Sequence, residues 1–557
     1  MPRAETSAAQ NSSQIFAANL LAQLVANGVD HIFLAPGARS QALAIAAGQL
    51  AEQGHVQLHV RLDERSLAFN ALGVGLVSGF PPVLITTSGT AVANLHPAVL
   101  EANHAGVPMI LLTADRPAEL RGVGSNQTTN QVGLFADAVR ECVDVPAPEA
   151  TDSAETLKEA ARVLALNAIA DSLNQTGPVQ LNLAFREPLS AAAPDAAEIF
   201  EALIALDLEG ASPIDEGHDH DHSALEHAHD HAVTEEDGTP DTVLDLTLKT
   251  VVVAGDAGYL ARWYCTGLPL LAEPSSGVRG LPESVPGYLW ILQQRPDLVE
   301  QIQQVLVFGK PTLSREIQAL LRRPGIKVYS DPGRHGIFNP AHNAQVLGDD
   351  VEFVGEPDLT WLRTWQETAA QLQDQEPVEV AKQGVTRRQL VEAVYATASE
   401  VKPLVLGASR LIRVADRWAP KKNVSVYSNR GLAGIDGTIA TATGIALTNP
   451  GARVRVLLGD LTLLHDAGSL AIDPKDVQLN IQLVVGNDNG GTIFEGLEVA
   501  KNLNGKAFER LFKTPQLVNL ELLAGAYGWQ YLRVESAEDL KAALKTRGRV
   551  LIDVLLG

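Results

Sequence analysis

The 557-residue sequence predicts an α/β protein built from three doubly wound domains. Short apolar, β-rich runs alternate with longer segments that favour helix, as is typical of parallel sheets covered by helices on both faces. Several runs end in small or oxygen-bearing residues, as expected where parallel strands end at a binding crevice. The length also suits roughly three domains.

Residues 1–191 are predicted to form the first domain. A helix capped by Ser13 should run through Asn27, and a second, opened by Asp63–Ser66, through Leu76. The predicted strands are apolar and end in small, polar or basic residues. They are His31–Ala35, Pro82–Thr87, Pro108–Thr113 and Pro178–Leu183.

A linker, residues 192–241, is expected next, because its composition shifts to Ala, Pro, Asp and Glu. It contains a histidine cluster, His218–His231, whose alternating His and Asp could bind Zn²⁺ or Ni²⁺. A solvated surface loop is the simpler interpretation in an acidic insertion, and we assign the cluster no catalytic role.

Residues 242–370 are predicted to be a central α/β domain. Its strands are expected at Thr250–Ala254, Gln304–Phe308, Ile326–Tyr329 and Val351–Val354. A charged, proline-containing linker, residues 371–386, separates it from the third domain, residues 387–557.

The composition restricts the classes of partner. A net charge of −23 disfavours nucleic acid and anionic membranes, and no apolar run is long enough for a membrane span. Two cysteines cannot form a disulfide framework, so a cytoplasmic protein is expected. Anionic substrates would need locally placed arginines to overcome the negative field.

Two strand ends in the third domain carry a metal-site signal. Val454–Asp460 and Ile481–Gly491 each join an apolar run to residues with oxygen ligands. If the strands are neighbours in a parallel sheet, these oxygens meet in one crevice and suit Mg²⁺ that also grips a diphosphate. The alternative is that the Asp and Asn residues cap helices or turns.

Beside this signal, Asp63–Ser66 resembles the N-terminal signature of thiamin diphosphate enzymes, in which one glutamate, here Glu64, bonds the aminopyrimidine ring. Within that superfamily the chain resembles, over essentially its whole length, the 2-succinyl-5-enolpyruvyl-6-hydroxy-3-cyclohexene-1-carboxylate (SEPHCHC) synthases, the MenD family. The motifs that carry the resemblance are Ala35–Ser40, Asp63–Ser66, Thr87–Thr90, Thr113–Pro117 with Glu119-Leu120, Ser125–Thr128, Ser428–Gly431, Gly434–Gly437, Gly459–Thr462 with His465-Asp466, and Gly490–Phe494.

The resemblance implies an enzyme of menaquinone biosynthesis with three domains of thiamin diphosphate-enzyme type (pyrimidine-binding, central and diphosphate-binding). It would be a transferase that decarboxylates 2-oxoglutarate and adds the succinyl unit to isochorismate. The implied cofactors are thiamin diphosphate and Mg²⁺ or Mn²⁺. The implied assembly is a homodimer, possibly a tetramer, with each active site at a subunit interface.

The resemblance also implies the site residues, with Glu64 as the catalytic one. The cofactor-binding set is Glu64, Ser88, Gly89, Thr90, Ile435, Gly459, Asp460, Leu461, Thr462, Asn487 and Ile493. The substrate-binding set is Arg39, Arg116, Gln127, Arg315, Ser409, Arg413, Arg430, Ile493 and Phe494. The metal ligands come from Asp460, Asn487, Asp488 and Gly490.

Two departures from the family pattern leave questions open, namely Ala38, where the family usually has Ser, and the metal run. Leu461 replaces the second glycine of the general thiamin-enzyme motif, which agrees with the MenD family and disfavours its acetolactate synthase relatives. In the run Asn487–Gly490, one alignment makes the Asp488 side chain and the Gly490 carbonyl ligands, and the other favours Asn487 and Asn489. The rival functions are another thiamin-dependent 2-oxo acid decarboxylase or carboligase, or a regulatory protein built around the histidine cluster.

Overall fold

The computed structural model describes residues 11–190, 194–210, 241–377, 379–381, 383–473 and 479–557. The predicted histidine cluster lies outside these residues. The described residues form four sheets, and all the strand pairs within these sheets are parallel. The predicted α/β class is therefore confirmed.

The first sheet has six strands in the order β2-β1-β3-β4-β6-β5. Asn11, two residues before the predicted Ser13, caps the first helix, and Asp63 caps α3. The elements are α1 Ser12–Ala26, β1 His31–Leu34, α2 Gln41–Glu52, β2 Gln57–Val60, α3 Glu64–Ser78, β3 Val83–Thr86, α4 Thr90–Asn94, α5 His96–Ala105, β4 Met109–Asp115, β5 Cys142–Val145, α6 Ala154–Asn174, β6 Pro178–Ala184 and α7 Ala196–Gly210.

The central sheet has five strands in the order β12-β11-β10-β8-β9, and β7 pairs with β13 in a separate ribbon. Val351–Val354 was expected to complete the central unit and instead lies in this ribbon. The elements are β7 Thr242–Asp245, β8 Thr250–Ala254, β9 Leu270–Ala272, α8 Tyr288–Gln294, α9 Pro296–Val299, β10 Gln304–Phe308, α10 Arg315–Leu321, β11 Lys327–Ser330, β12 Ala344–Val346, β13 Val351–Val354 and α11 Leu359–Gln375.

The third sheet has six strands in the order β15-β14-β16-β17-β19-β18. A Thr386 capping box opens its first helix. The elements are α12 Arg387–Thr397, β14 Leu404–Leu406, α13 Arg410–Trp418, β15 Val426–Tyr427, α14 Thr438–Thr448, β16 Arg453–Gly459, α15 Asp460–His465, β17 Asn480–Asn487, α16 Val499–Asn502, α17 Gly505–Phe508, α18 Leu520–Ala526, β18 Gln530–Val534, α19 Ala537–Ala543 and β19 Val550–Leu555.

The two outer sheets share one topology. When strands are numbered within each domain, both read 2-1-3-4-6-5 across the sheet. The helices that follow the second strand of each, α3 and α14, pack against each other. A Cβ added at Gly73 of α3 would lie 2.1 Å from the carbonyl oxygen of Thr441, so the backbones touch. One hydrophobic cluster accordingly contains buried residues of both domains, including Phe69 and Ile439.

Helix α7 lies within the region that the sequence analysis assigned to a linker. The backbone N–H of Ala196 donates to Gln49 of α2 at 3.2 Å, and Ala196 belongs to the hydrophobic cluster of the first domain. Among the helices in the described ranges, none is long and apolar enough to cross a membrane.

Candidate active site

The candidate residues of the N-terminal domain all follow the carboxyl ends of strands in the first sheet. Arg39 follows β1, Glu64 follows β2, Ser88 follows β3 and Arg116 follows β4. Parallel strands end at a common edge, so the topology places these residues on one side of the sheet.

The third sheet repeats this arrangement with a different set of side chains. Ser409 follows β14, Arg430 follows β15, Asp460 follows β16 and Asp488 follows β17. Strands β16 and β17 are directly paired, with Gly459 opposite Gly486, so the two strand ends do meet.

Asp460 and Asp488 form a pair of neighbouring acids. Asp460 is 7% exposed, and burial followed by the nearby charge of Asp488 raises the pKa of Asp460 to about 6. Two carboxylates that repel each other in a buried crevice fit a divalent cation between them. In the described part of the chain, no three His, Cys, Asp or Glu side chains converge, so amide or carbonyl oxygens would have to complete such a site.

The contacts around Asp488 and Asn487 distinguish the two possible ligand sets. Oδ2 of Asp488 accepts hydrogen bonds from Arg387 at 2.6 Å and from the Thr492 hydroxyl at 2.5 Å, which leaves Oδ1 for a cation. The Asn487 amide instead donates to Asp553 at 2.9 Å. Its oxygen accepts from the Asn489 backbone at 3.2 Å, so both ends of Asn487 are engaged.

Gly490 has a backbone conformation that side chains disfavour, with φ of 130°. A Cβ at this position would lie 2.2 Å from the carbonyl oxygen of Lys513. The next residue, Gly491, donates its N–H to that same oxygen at 2.7 Å. The loop after β17 is therefore held against the segment Glu509–Lys513, and Gly490 is fixed by its neighbours.

Arg116 is the centre of a hydrogen-bonded group in the N-terminal domain. Its Nη1 donates to the Ser88 hydroxyl at 2.8 Å and to the Gln127 carbonyl at 2.6 Å. Arg39 is 8% exposed and donates to the Phe185 carbonyl at 3.0 Å. Burial, followed by the charge of Arg116, lowers the pKa of Arg39. The charges of Glu187 and Asp115 oppose that shift more weakly. Two buried guanidinium groups this close together suit an anionic ligand.

Glu64 begins α3 and is half-buried, with Asn94 Nδ2 at 3.5 Å from its carboxylate. The start of this helix is fixed to the C-terminal domain of the same chain. Arg65 donates to the His465 carbonyl at 3.1 Å, and the Ser66 and Ser469 hydroxyls are 2.7 Å apart.

A second arginine group lies in the C-terminal domain. Arg430 is 3% exposed and donates to the Thr312 hydroxyl. Arg413 donates to the Ser409 carbonyl at 2.6 Å. Desolvation of the Arg413 guanidinium, followed by the charge of Arg430, lowers the pKa of Arg413. Arg315 differs from both, because its side chain is 80% exposed and lies 3.6 Å from Glu498.

Two comparisons with known proteins bear on this site. The family model described as "Thiamine pyrophosphate enzyme, N-terminal TPP binding domain" matches residues 16–134, and the corresponding C-terminal TPP binding domain matches residues 411–554. A SEPHCHC synthase of Leifsonia xyli is 42% identical, with 96% of this chain and 94% of the relative aligned. Those of Clavibacter michiganensis (44%; 96% and 94%) and Paenarthrobacter aurescens (39%; 95% and 92%) are similar.

The chain belongs to the SEPHCHC synthase family. Membership makes it a thiamin diphosphate enzyme, as the sequence motifs predicted. The two matched family models cover the two domains whose strand ends carry the residues described above.

The other cofactor- and substrate-binding residues that the family resemblance implied lie beside these groups. Ile435 is half-buried in the loop before α14, and Phe494 packs against Phe512 with ring centroids 5.6 Å apart. Leu461 and Ile493 are half-buried, Thr462 is buried and Thr90 is exposed at the start of α4. Gly89 donates its N–H to Gln131 at 3.0 Å, which fixes the turn after β3.

Sequence reasoning missed three residues in contact with this site. Arg387 pairs with Asp488, Thr312 accepts from Arg430, and Glu273 holds the backbone next to Thr312. Arg387 opens a helix and Glu273 follows an apolar run, but neither position stands out without its spatial neighbours.

Proposed function

We propose that this chain is a SEPHCHC synthase that uses thiamin diphosphate to decarboxylate 2-oxoglutarate and to add the succinyl unit to isochorismate. The observation that carries the proposal is the identity of 38–44% to synthases with that printed name, aligned over 95–96% of the chain. The bound cofactor supplies the nucleophilic carbon that attacks the 2-oxo acid. Two free cysteines agree with a cytoplasmic location.

The acids after β16 and β17 fit the metal that this cofactor requires. We propose that Asp460, Oδ1 of Asp488 and the Gly490 carbonyl hold Mg²⁺ or Mn²⁺, which binds the diphosphate. The engagement of Asn487 with Asp553 and Asn489 supports this set over the alternative. Arg387 would compensate the charge of Asp488, with which it forms an ion pair.

The two arginine groups suit the two dicarboxylate substrates. Arg39 and Arg116 lie on the N-terminal domain, and Arg413 and Arg430 on the C-terminal domain. Arg39, Arg116 and Arg430 are buried, so a substrate carboxylate can meet their guanidinium donors with little competition from water, whereas Arg413 is exposed beside Arg430. Arg315, exposed in the single chain, would reach substrate only at the outer rim of the site.

We further propose that the functional unit is a homodimer. In it, Glu64 of one copy would act on the cofactor held at the cation site of the other copy. Glu64 would exchange a proton with the aminopyrimidine ring through its carboxylate. Next to it, Leu62 is 87% exposed in the single chain, as is typical of an apolar residue that a partner covers.

An omission assay tests the proposed function. Purified protein receives 2-oxoglutarate, isochorismate, thiamin diphosphate and Mg²⁺, and CO₂ and the adduct are followed by mass spectrometry. We expect adduct only in the complete mixture. Pyruvate in place of 2-oxoglutarate should lower kcat/KM by at least about 10²-fold, because pyruvate lacks the second carboxylate that the arginines would bind. Equal turnover of pyruvate would favour the rival 2-oxo acid decarboxylase or carboligase.

A further inference from the structure

Glu273, the residue after β9, lies between the central and C-terminal domains. Its side chain is 1% exposed. Oε1 accepts the Leu313 backbone N–H at 2.8 Å, whereas Oε2 is buried and has no hydrogen-bond partner in the described ranges. An ionised carboxylate with so few donors is poorly stabilised away from water.

This glutamate is connected to Arg430, a buried arginine of the candidate site. Leu313, which it holds, follows Thr312, and the Thr312 hydroxyl accepts a hydrogen bond from Arg430. Arg430 is itself buried, and its Nε has no partner among the residues that the structure describes. Glu273 therefore fixes the short backbone segment that orients Arg430.

The charged and titratable groups around Glu273 come from three other elements. Asp416 and Arg413 belong to α13, Arg430 follows β15, and Tyr288 belongs to α8. Burial, followed by the charge of Asp416, raises the pKa of Glu273 to about 8, while the Leu313 N–H, Arg430 and the Thr312 N–H oppose that shift.

The carboxylate of Asp416 has more hydrogen-bonding and charged partners than that of Glu273. The Tyr288 hydroxyl lies 2.9 Å from both of its oxygens, and Arg279 is 3.6 Å away. The environments of the two acids thus differ, and Glu273 is the one left without a cationic partner in contact.

We propose that Glu273 is a positioning residue that leaves Arg430 and Arg413 unneutralised for a substrate carboxylate. As a neutral acid it holds Thr312 and Leu313 in place without cancelling the charge of the arginines. As a carboxylate it competes with the substrate for them. This inference rests on the proposed function, in which these arginines bind a dicarboxylate.

The expected pH dependence follows from the direction of the shift. Below about pH 8 Glu273 is protonated and the arginines face the substrate with their full charge. Above it, the new negative charge weakens substrate binding, whereas the substrate carboxylates are ionised throughout this range. The KM for 2-oxoglutarate should therefore rise about five- to tenfold between about pH 7 and about pH 9.5.

Steady-state kinetics of the holoenzyme at saturating cofactor and Mg²⁺ test this inference. Glu273→Gln keeps an oxygen for the Leu313 N–H and removes the titration, so its KM should stay flat over the same pH range. Thr312→Val should raise KM at every pH and retain the wild-type slope. Glu300→Gln, an exposed acid of the same domain, is the matched control and should follow wild type.

The outcomes separate this inference from the proposed function. Absence of 2-oxoglutarate turnover by wild type would overturn both. If wild type turns over 2-oxoglutarate with a KM that does not change over this pH range, only the role of Glu273 is overturned. This result needs no variant, so it holds even if a variant fails to fold. An equal rise of KM in wild type and in a folded Glu273→Gln variant would also overturn it.

Discussion

Glu64 occupies the first turn of α3, where the helix begins at the edge of the first sheet. We expect Glu64→Gln to lower kcat by about 10²-fold, because an amide cannot exchange the proton of the aminopyrimidine ring. The cation site lies on another sheet, so the affinity for the cofactor should change little. Stopped-flow turnover and calorimetric titration of thiamin diphosphate measure the two quantities. Weaker cofactor binding with unchanged kcat would contradict the proposed role.

The two acids after β16 and β17 give a direct test of the metal ligands. Asp488→Ala should weaken Mn²⁺ binding at least about tenfold in the presence of cofactor, because it removes a ligand and the partner of Arg387. Asn487→Ala is the control and should have a smaller effect, since Asn487 bonds Asp553 and Asn489. Electron paramagnetic resonance measures free Mn²⁺. The opposite ranking of the two variants would assign the ligand to Asn487.

At the residue scale, the sequence indicated which strand ends carry candidate residues better than which atoms those residues would use. Asp460 and Asp488 were identified because apolar runs end there, and parallel topology brings such ends together. The choice between Asn487 and Asp488 depended on Arg387, Thr492 and Asp553, which are distant along the chain. Glu273 could not be identified because its importance comes from what surrounds it in space.

At the scale of elements, the contact of α3 with α14 joins the two outer domains. A Cβ on Gly73 would lie 2.1 Å from the Thr441 oxygen. Gly73→Ala should therefore lower the free energy of unfolding by about 1–3 kcal/mol. Gly48→Ala in α2, where a new Cβ meets nothing within 4 Å, should raise it by about 0.5–1 kcal/mol. Urea unfolding compares the two, and equal effects would show that the helices can separate at little cost.

Buried central strands were predicted more completely than edge strands, although the exposed ribbon strand Val351–Val354 was predicted with its observed bounds. Thr250–Ala254 and Gln304–Phe308 were predicted with their observed bounds, because both are continuous apolar runs buried on both faces. Strands β2 and β18 lie at sheet edges and include exposed residues, so their sequences lack that signal. Helix α7 was assigned to a linker because its neighbourhood is acidic, although Ala196 packs on the first domain.

At the scale of the whole molecule, the candidate residues form two groups on separate sheets. Arg39, Glu64 and Arg116 lie at the first sheet, and Asp460 and Asp488 at the third. The two sheets share one strand order, and both groups follow the carboxyl ends of their strands. A second copy could then bring one group to face the other, as the proposed dimer requires.

Complementation tests this assembly. Glu64→Gln and Asp460→Ala should each be nearly inactive alone. Heterodimers purified through two different tags should recover about half of the wild-type turnover, because one of their two sites then has both intact residues. Homodimers of each variant, mixed without exchange, are the control. No recovery in the heterodimer would place both residues of a site in the same chain.

The most direct test of the account is a calorimetric titration of the purified protein with thiamin diphosphate, with and without Mg²⁺. Saturable uptake that requires Mg²⁺ and is lost in Asp460→Ala is the expected result, because that acid holds the cation that binds the diphosphate. Absence of uptake with Mg²⁺ present, or equal uptake by Asp460→Ala, would contradict the account.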